Sequence, residues 1–324
     1  MAADAAPIPV PPQQTAPVRA ETLARACNFL QAAKAENTRR AYRADWSGFA
    51  AWCQAQGREA LPAPPETVVY YLTELAETHK AASLTRRLSA ISQAHQAVGC
   101  ASPTQEAAVR AVMAGIRRSK GTAVKAKKPV LAPDLRRMLE TLPDTLLGLR
   151  DRALLLVGFA GAFRRSELVS LNWEDAGLSR EGLTLTLRRS KTDQEAEGRK
   201  IGIPYGRQPE QCPVRALEAW KGAAGGDRGP VFRRLDRHGN LLPGRLSDKA
   251  VARAVKRAVA AAGGDPAEFA GHSLRSGLAT AAALGGASER SIMNQTGHRS
   301  LATVRRYIRD GSLFQENAVT KTGL

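Results

Sequence analysis

The stretch TGHRSLATVRRYI, residues 296–308, sets a single tyrosine behind a histidine and two arginines close to the end of a 324-residue chain. Leu301, Val304 and Ile308 recur at helical spacing, and Tyr307 stands at the edge of the stripe they make. Packing into a core is the default role for such a tyrosine. The other role is that of a nucleophile aimed at phosphate, and the choice depends on what surrounds the stretch.

The charge of the whole chain favours a polyanion. Lys and Arg total 48 against 30 Asp and Glu, a formal net charge of +18 and a pI near 10.4. Clustered cations gain affinity for nucleic acid by releasing its condensed counterions. A membrane partner is disfavoured, because no long basic amphipathic anchor is visible and the longest apolar run, Ala153 to Phe163, falls short of the ~20 residues that span a bilayer. The opening MAADAAPIPVPPQQ lacks the basic start and apolar stretch of a signal peptide. Cysteines at 27, 53, 100 and 212 form no close pairs, which argues against zinc or a disulfide framework. A reducing cytoplasm is the expected compartment.

The length exceeds what one hydrophobic core usually serves, so two domains are expected. Residues 1–20, rich in Ala, Pro and Gln, read as a disordered arm. A helical N-terminal domain follows over 21–118. Within it, Tyr42, Trp46, Phe49 and Cys53 form one apolar stripe behind an Asn37 N-cap, with Arg39, Arg40 and Arg43 mostly off it. A second helix buries Leu84, Leu88, Ile91 and Val98, leaving Arg86 and Arg87 behind or beside that face. RRSKGTAVKAKK carries six cations and no anion from Arg117 to Lys128, and a basic linker is assigned to 119–130. Arg117, Arg118, Lys120, Lys125, Lys127 and Lys128 are candidates to follow a phosphate backbone, with a flexible, solubilising connector as the bland alternative, and Arg39, Arg40, Arg43, Arg86 and Arg87 are further candidate DNA contacts, with a solvated surface as theirs. From 131 to 324 the pattern is mainly helical, including SDKAVARAVKRAVAAAG after a Ser247 cap. The exception is Leu183, Leu185 and Leu187, which alternate with polar residues before a second short strand at Lys200 to Ile203 and predict a small antiparallel sheet.

Four local features carry chemistry together: GAFRRSEL with Arg164, RRSKTD with Lys191, GHSLRSG with His272 and Arg275, and TGHRSLATVRRYI with His298 and Tyr307. Each alone has a plainer reading. Arginines at helix ends usually pair on the surface, a hairpin lysine is usually solvated, and a lone histidine is often structural. Their order and spacing together resemble the tyrosine recombinases, also called phage integrases, over about residues 21 to 320.

The resemblance implies a mainly α protein, with a SAM-like helical domain that clamps DNA and a mainly helical catalytic domain holding a small antiparallel sheet. It implies that Tyr307 attacks a phosphodiester to give a 3'-phosphotyrosyl link and that Lys191 protonates the leaving 5'-hydroxyl. His272 would assist proton transfer at the nucleophile, and His298 would hydrogen-bond the scissile phosphate. Arg164 and Arg275 would clamp the non-bridging oxygens, a task suited to permanently charged, forked guanidiniums. Glu167 would take a salt-bridging part. No metal, nucleotide or other cofactor is required.

The implied partners are double-stranded DNA with inverted-repeat core sites and three further copies of the chain, forming a homotetramer through a C-terminal tail in which Leu313 and Phe314 are the docking candidates. A Holliday junction would lie between the two rounds of exchange. Two alternatives stay open: a type IB topoisomerase, disfavoured because His272 stands where those enzymes usually carry lysine, and a catalytically silent DNA-binding protein of the same fold. Heavy Ala, Arg, Gly and Leu usage hints at a GC-rich bacterium or its phage, with the protein at the nucleoid.

Overall fold

The computed structural model describes residues 34–121, 126–188 and 198–312, together with 319 and 322; for 308–312 only the backbone is described. Lys125, Lys191, the expected arm and the tail residues Leu313 and Phe314 lie outside the described residues. The chain divides into two compact units, Met1–Val124 and Lys125–Leu324.

The first unit holds four α-helices among its described residues: α1 (Glu36–Ala55), α2 (Pro65–Thr78), α3 (Ala81–Ala97) and α4 (Ala107–Lys120). Three of the four stripe residues on α1 turn inward as the spacing predicts, while Tyr42 is half-buried and stands outside the cluster. Phe49 and Cys53 are fully buried with Tyr71, Leu72, Leu84, Ile91 and Val109, and Trp46 packs against them. The helix starts at Glu36, however, so Ala35 and not Asn37 is the N-cap, and no side chain caps it. Val98 is also misplaced by the sequence pattern. It is 56% exposed, because α3 ends at Ala97 and the inward position one turn earlier belongs to His95. That imidazole is fully buried; Nδ1 meets the Ile91 carbonyl and Nε2 accepts from the Ala63 N–H. Both ring nitrogens are therefore satisfied.

Ser119 and Lys120, expected to open the linker, instead close α4, whose last turn also carries Arg117 and Arg118. Cations there face the negative end of the helix dipole.

The second unit runs α5 (Ala132–Glu140), α6 (Leu146–Ala160), α7 (Arg165–Ser170), β1 (Ala176–Leu178), β2 (Gly182–Leu187), β3 (Arg199–Pro204), α8 (Pro213–Ala224), β4 (Arg233–Leu235), β5 (Leu241–Arg245), α9 (Asp248–Ala261), α10 (Ser273–Leu284), α11 (Glu289–Thr296) and α12 (Leu301–Ser312). Helix α6 is apolar on every side from Ala153 to Val157, and all five of those residues are buried. A helix hydrophobic all round belongs at the centre of a domain. Beside it α8 places Trp220, fully buried, whose indole N–H donates to the Val231 carbonyl at 2.8 Å.

The predicted sheet is present. β2 pairs antiparallel with β3 in the register Leu183 to Ile203, Leu185 to Ile201 and Leu187 to Arg199, with β1 added on the other side of β2. Leu183, Leu185 and Leu187 all turn inward. A second hairpin, β4 with β5, has no alternating pattern to announce it; its strands are half-exposed, broken by a register shift, and joined by a turn in which Asp236 accepts from the His238 and Asn240 N–H groups. Ser247 caps α9 as expected, accepting from the Ala250 N–H.

Candidate active site

Arg164 is held where α6 gives way to α7. The chain leaves α6 through Gly161 and Ala162, the latter with φ of +49°, a left-handed conformation that an alanine adopts only under constraint. Arg164 then serves as the N-cap of α7. Glu167, 2% exposed, accepts the Arg164 backbone N–H at 2.9 Å and forms an ion pair with its guanidinium. One buried carboxylate thus sets both the main chain and the side chain of the arginine.

Arg275 enters from the first turns of α10 and is fully buried. Its Nη1 donates to the carbonyl of the strained Ala162 at 2.7 Å. Nε and Nη2 have no hydrogen-bond partner among the described residues. The surroundings of this guanidinium push its pKa down to about 10: burial first, then repulsion from Arg164, opposed by Glu167. Unsatisfied buried donors cost stability, so their persistence points to an anion they are kept for.

His298 follows α11 after Gly297, which closes the helix in the left-handed conformation. Thr296 Oγ1 donates to the Ile292 carbonyl at 2.6 Å, so its single proton is committed. The 2.7 Å contact between Thr296 Oγ1 and His298 Nδ1 is therefore a bond donated by the imidazole, and Nε2 is left free to face the site. Burial, then the charges of Arg275, Arg164, His272 and Arg199, lower the His298 pKa to about 3. His272, just before α10, is pushed down to about 4 by crowding of protein atoms and then by Arg275, Arg164 and Arg165, although the residue keeps a face open to solvent. Both rings are neutral at pH 7.

Tyr307 lies half-buried on α12, against a small cluster of Ala279, Ile292 and Val304, with its ring centroid 5.7 Å from that of His298. The two readings of the opening tyrosine prove compatible: its flank packs while its position faces the cationic group. Five of the six expected residues, Arg164, His272, Arg275, His298 and Tyr307, share one electrostatic neighbourhood. Lys191, which falls between β2 and β3 in sequence, lies outside the described residues.

Arg199 joins them without belonging to any of the four motifs. It is the first residue of β3, half-buried, and its charge acts on Arg275 and His298. The signal available in the sequence is its phase: Arg199, Ile201 and Ile203 fall on one face of the strand, and the two isoleucines are buried.

The expected DNA-contacting residues divide. Arg43 is exposed, and Arg40 is exposed but pairs with Glu36. Arg39 is half-buried. Arg86 grips both oxygens of the buried Asp45, at 2.6 and 3.0 Å, and Arg87 donates to the Tyr71 hydroxyl at 2.7 Å. Arg117 reaches Thr85, and Lys120 reaches the carbonyls of Glu77 and His79. Arg118 is exposed on α4. Lys127 donates to the Ala267 carbonyl, and Lys128 pairs with Glu268 at 2.6 Å. Arg86 is thus a structural partner first.

Known proteins share both the sequence pattern and the fold. The profile of the phage integrase family matches residues 130–312, and that of the phage integrase N-terminal SAM-like domain matches residues 27–98. An integrase/recombinase described as a xerD homolog, from Selenomonas ruminantium, is 46% identical over 90% of this chain and 87% of its own. The recombinase cre of Escherichia phage P1 is 26% identical over 81% of this chain and 80% of its own. Among solved structures, a lambda integrase fragment crystallised as a dimer on a COC' core site superposes with a TM-score of 0.60 at 21% identity, covering 90% of this chain and 95% of that one. The Tn1549 transposon integrase bound to transposon right-end DNA gives 0.61 at 13% identity, over 93% and 98%.

Proposed function

Because this chain belongs to the phage integrase family of tyrosine recombinases, we propose that it is a site-specific recombinase cutting and rejoining duplex DNA through Tyr307. The observation that carries the reading is Arg275, a fully buried guanidinium in the electrostatic neighbourhood of His298 and Tyr307, two of whose donors have no hydrogen-bond partner among the described residues. Such a site suits an anion that brings its own oxygens, and the scissile phosphate does so.

In this mechanism the Tyr307 oxygen attacks phosphorus and the bond to the 5'-oxygen breaks. The phenolic proton passes toward His272, which is neutral at pH 7 and able to accept it. The departing 5'-oxygen takes a proton from Lys191. Arg164, fixed by Glu167, and Arg275 hold the non-bridging oxygens as charge grows on them. His298 has its Nδ1–H committed to Thr296, so Nε2 becomes a donor to phosphate only by taking up a proton, which a bound anion favours. The bond energy stays in the 3'-phosphotyrosyl link, and attack by another strand's 5'-hydroxyl reverses each step into a new junction.

Both units bind duplex DNA in this reading, at inverted-repeat core sites, and exchange proceeds through a Holliday junction in a tetramer joined by C-terminal tails. No metal or nucleotide takes part, and the protein acts in the bacterial cytoplasm on nucleoid DNA. Within duplex contacts, Arg43 and Arg118 are the candidates that are both exposed and without a side-chain bond among the described residues. Among the described residues, no helix is long and apolar enough to cross a membrane.

The test is a nicked suicide duplex carrying the native gene's flanking sequence, incubated without metal and resolved on a denaturing gel. Wild type is expected to form a covalent adduct and Tyr307→Phe none. Specific binding without any adduct would transfer the reading to a silent DNA-binding protein.

A further inference from the structure

Arg199 makes a set of bonds that the catalytic scheme does not use. Its Nη1 donates to the carbonyls of Asn294 and Gln295 at 3.2 and 3.1 Å, and its Nη2 to that of Thr296 at 3.4 Å. These are the last carbonyls of α11, which no N–H of the helix itself can satisfy, and they form the negative end of its dipole. A strand arginine therefore caps a helix in another layer. Gln295 adds a second tie in the opposite direction: its Nε2 donates to the Ala160 carbonyl at the end of α6, at 2.7 Å, and to the Gly202 carbonyl on β3 at 3.3 Å.

The close fit extends to Gly297. A Cβ placed there would stand 2.8 Å from the Arg199 Cζ, so the guanidinium lies directly on the glycine that turns the chain into His298. From this geometry we propose that Arg199 is a positioning residue for His298: it clamps the end of α11 to β3. The proposal rests on the recombinase reading for its meaning in catalysis. Its consequence is that the histidine acting on the phosphate is registered against β3 by a single guanidinium.

A clamp that merely stabilised the fold would share these bonds, so the test needs a readout that stability does not move. Arg199 is one of the cations that depress His298, after Arg275, Arg164 and His272. Full-length wild type, Arg199→Lys and Arg199→Met are compared in two measurements. The first is single-turnover cleavage of the nicked duplex at saturating DNA, corrected for the folded fraction. The second is the pH titration of the imidazole nitrogens by NMR in the free protein, with the His298 signals assigned through His298→Asn.

Arg199→Met is expected to cut the cleavage rate about a hundredfold, the cost of a reacting group displaced by about an ångström, and to raise the His298 pKa. Arg199→Lys keeps the charge but cannot fork across three carbonyls, so it should leave the His298 pKa close to that of wild type and recover part of the rate. Wild-type cleavage by Arg199→Met, or an unchanged His298 titration, overturns the proposal. If wild type itself forms no adduct on a duplex it binds, the recombinase reading fails, and amide hydrogen exchange at the end of α11 decides whether the clamp exists: faster exchange there in Arg199→Met supports it, and unchanged exchange overturns it.

Discussion

At the scale of single residues, the site concentrates strain and unsatisfied charge. Gly297 combines a φ of +66° with the overlying Arg199 guanidinium. Gly297→Ala should cost about 1 to 2 kcal/mol from the left-handed backbone alone, with a further loss of cleavage as Arg199 is displaced; chemical denaturation and the suicide assay read the two effects separately. His272 and His298 set a pH dependence of stability. Their folded pKa values, about 4 and about 3, lie below the ordinary histidine value of 6.5. Between those limits the unfolded chain binds protons that the folded one refuses, so stability rises with pH through that window and is lost as pH falls from about 6.5. Thermal unfolding of wild type should show that slope, and His298→Asn should flatten it below pH 6. A slope unchanged in the variant would remove His298 as its source.

At the scale of elements, what is legible in the sequence follows from how each element is made. The stripe of α1 and the leucines of β2 are set by burial on one face, and periodicity records burial. Likewise Arg164, His272, Arg275, His298 and Tyr307 each sit within a local motif, so their convergence can be read without coordinates. Val98 cannot, because the end of α3 is decided by local geometry and the inward place falls to a satisfied polar side chain, His95. The β4–β5 hairpin escapes because both strands are half-exposed and carry no alternation. Arg199 escapes for a third reason: its role lies in bonds to residues about 95 positions away along the chain. Arg86 shows the same difficulty in reverse, since a surface-looking cation proves to neutralise the buried Asp45. Arg86→Ala should cost about 1 to 3 kcal/mol by leaving that carboxylate desolvated and unpaired, and Asp45→Ala in the same chain should recover much of it. A double-mutant cycle in urea measures the coupling.

At the scale of the whole molecule, a formal charge of +18 is divided between cations engaged inside the protein and cations open to solvent. Replacing Lys125, Lys127 and Lys128 together by alanine should weaken DNA binding and flatten its dependence on salt, by up to about 0.9 in log–log slope for each phosphate left without its lysine. An unchanged slope would mean that Lys127 and Lys128 serve only their bonds to Ala267 and Glu268. The Arg275 donors that have no partner among the described residues have a consequence of a different kind. A protein that keeps an arginine waiting in its interior responds to the composition of its buffer. Sulfate should raise the melting temperature of wild type more than that of Arg275→Lys, beyond the general stabilisation by exclusion from the surface that both share, and should slow cleavage by competing with the proposed scissile phosphate. Storage conditions that steady the enzyme would then be those that idle it.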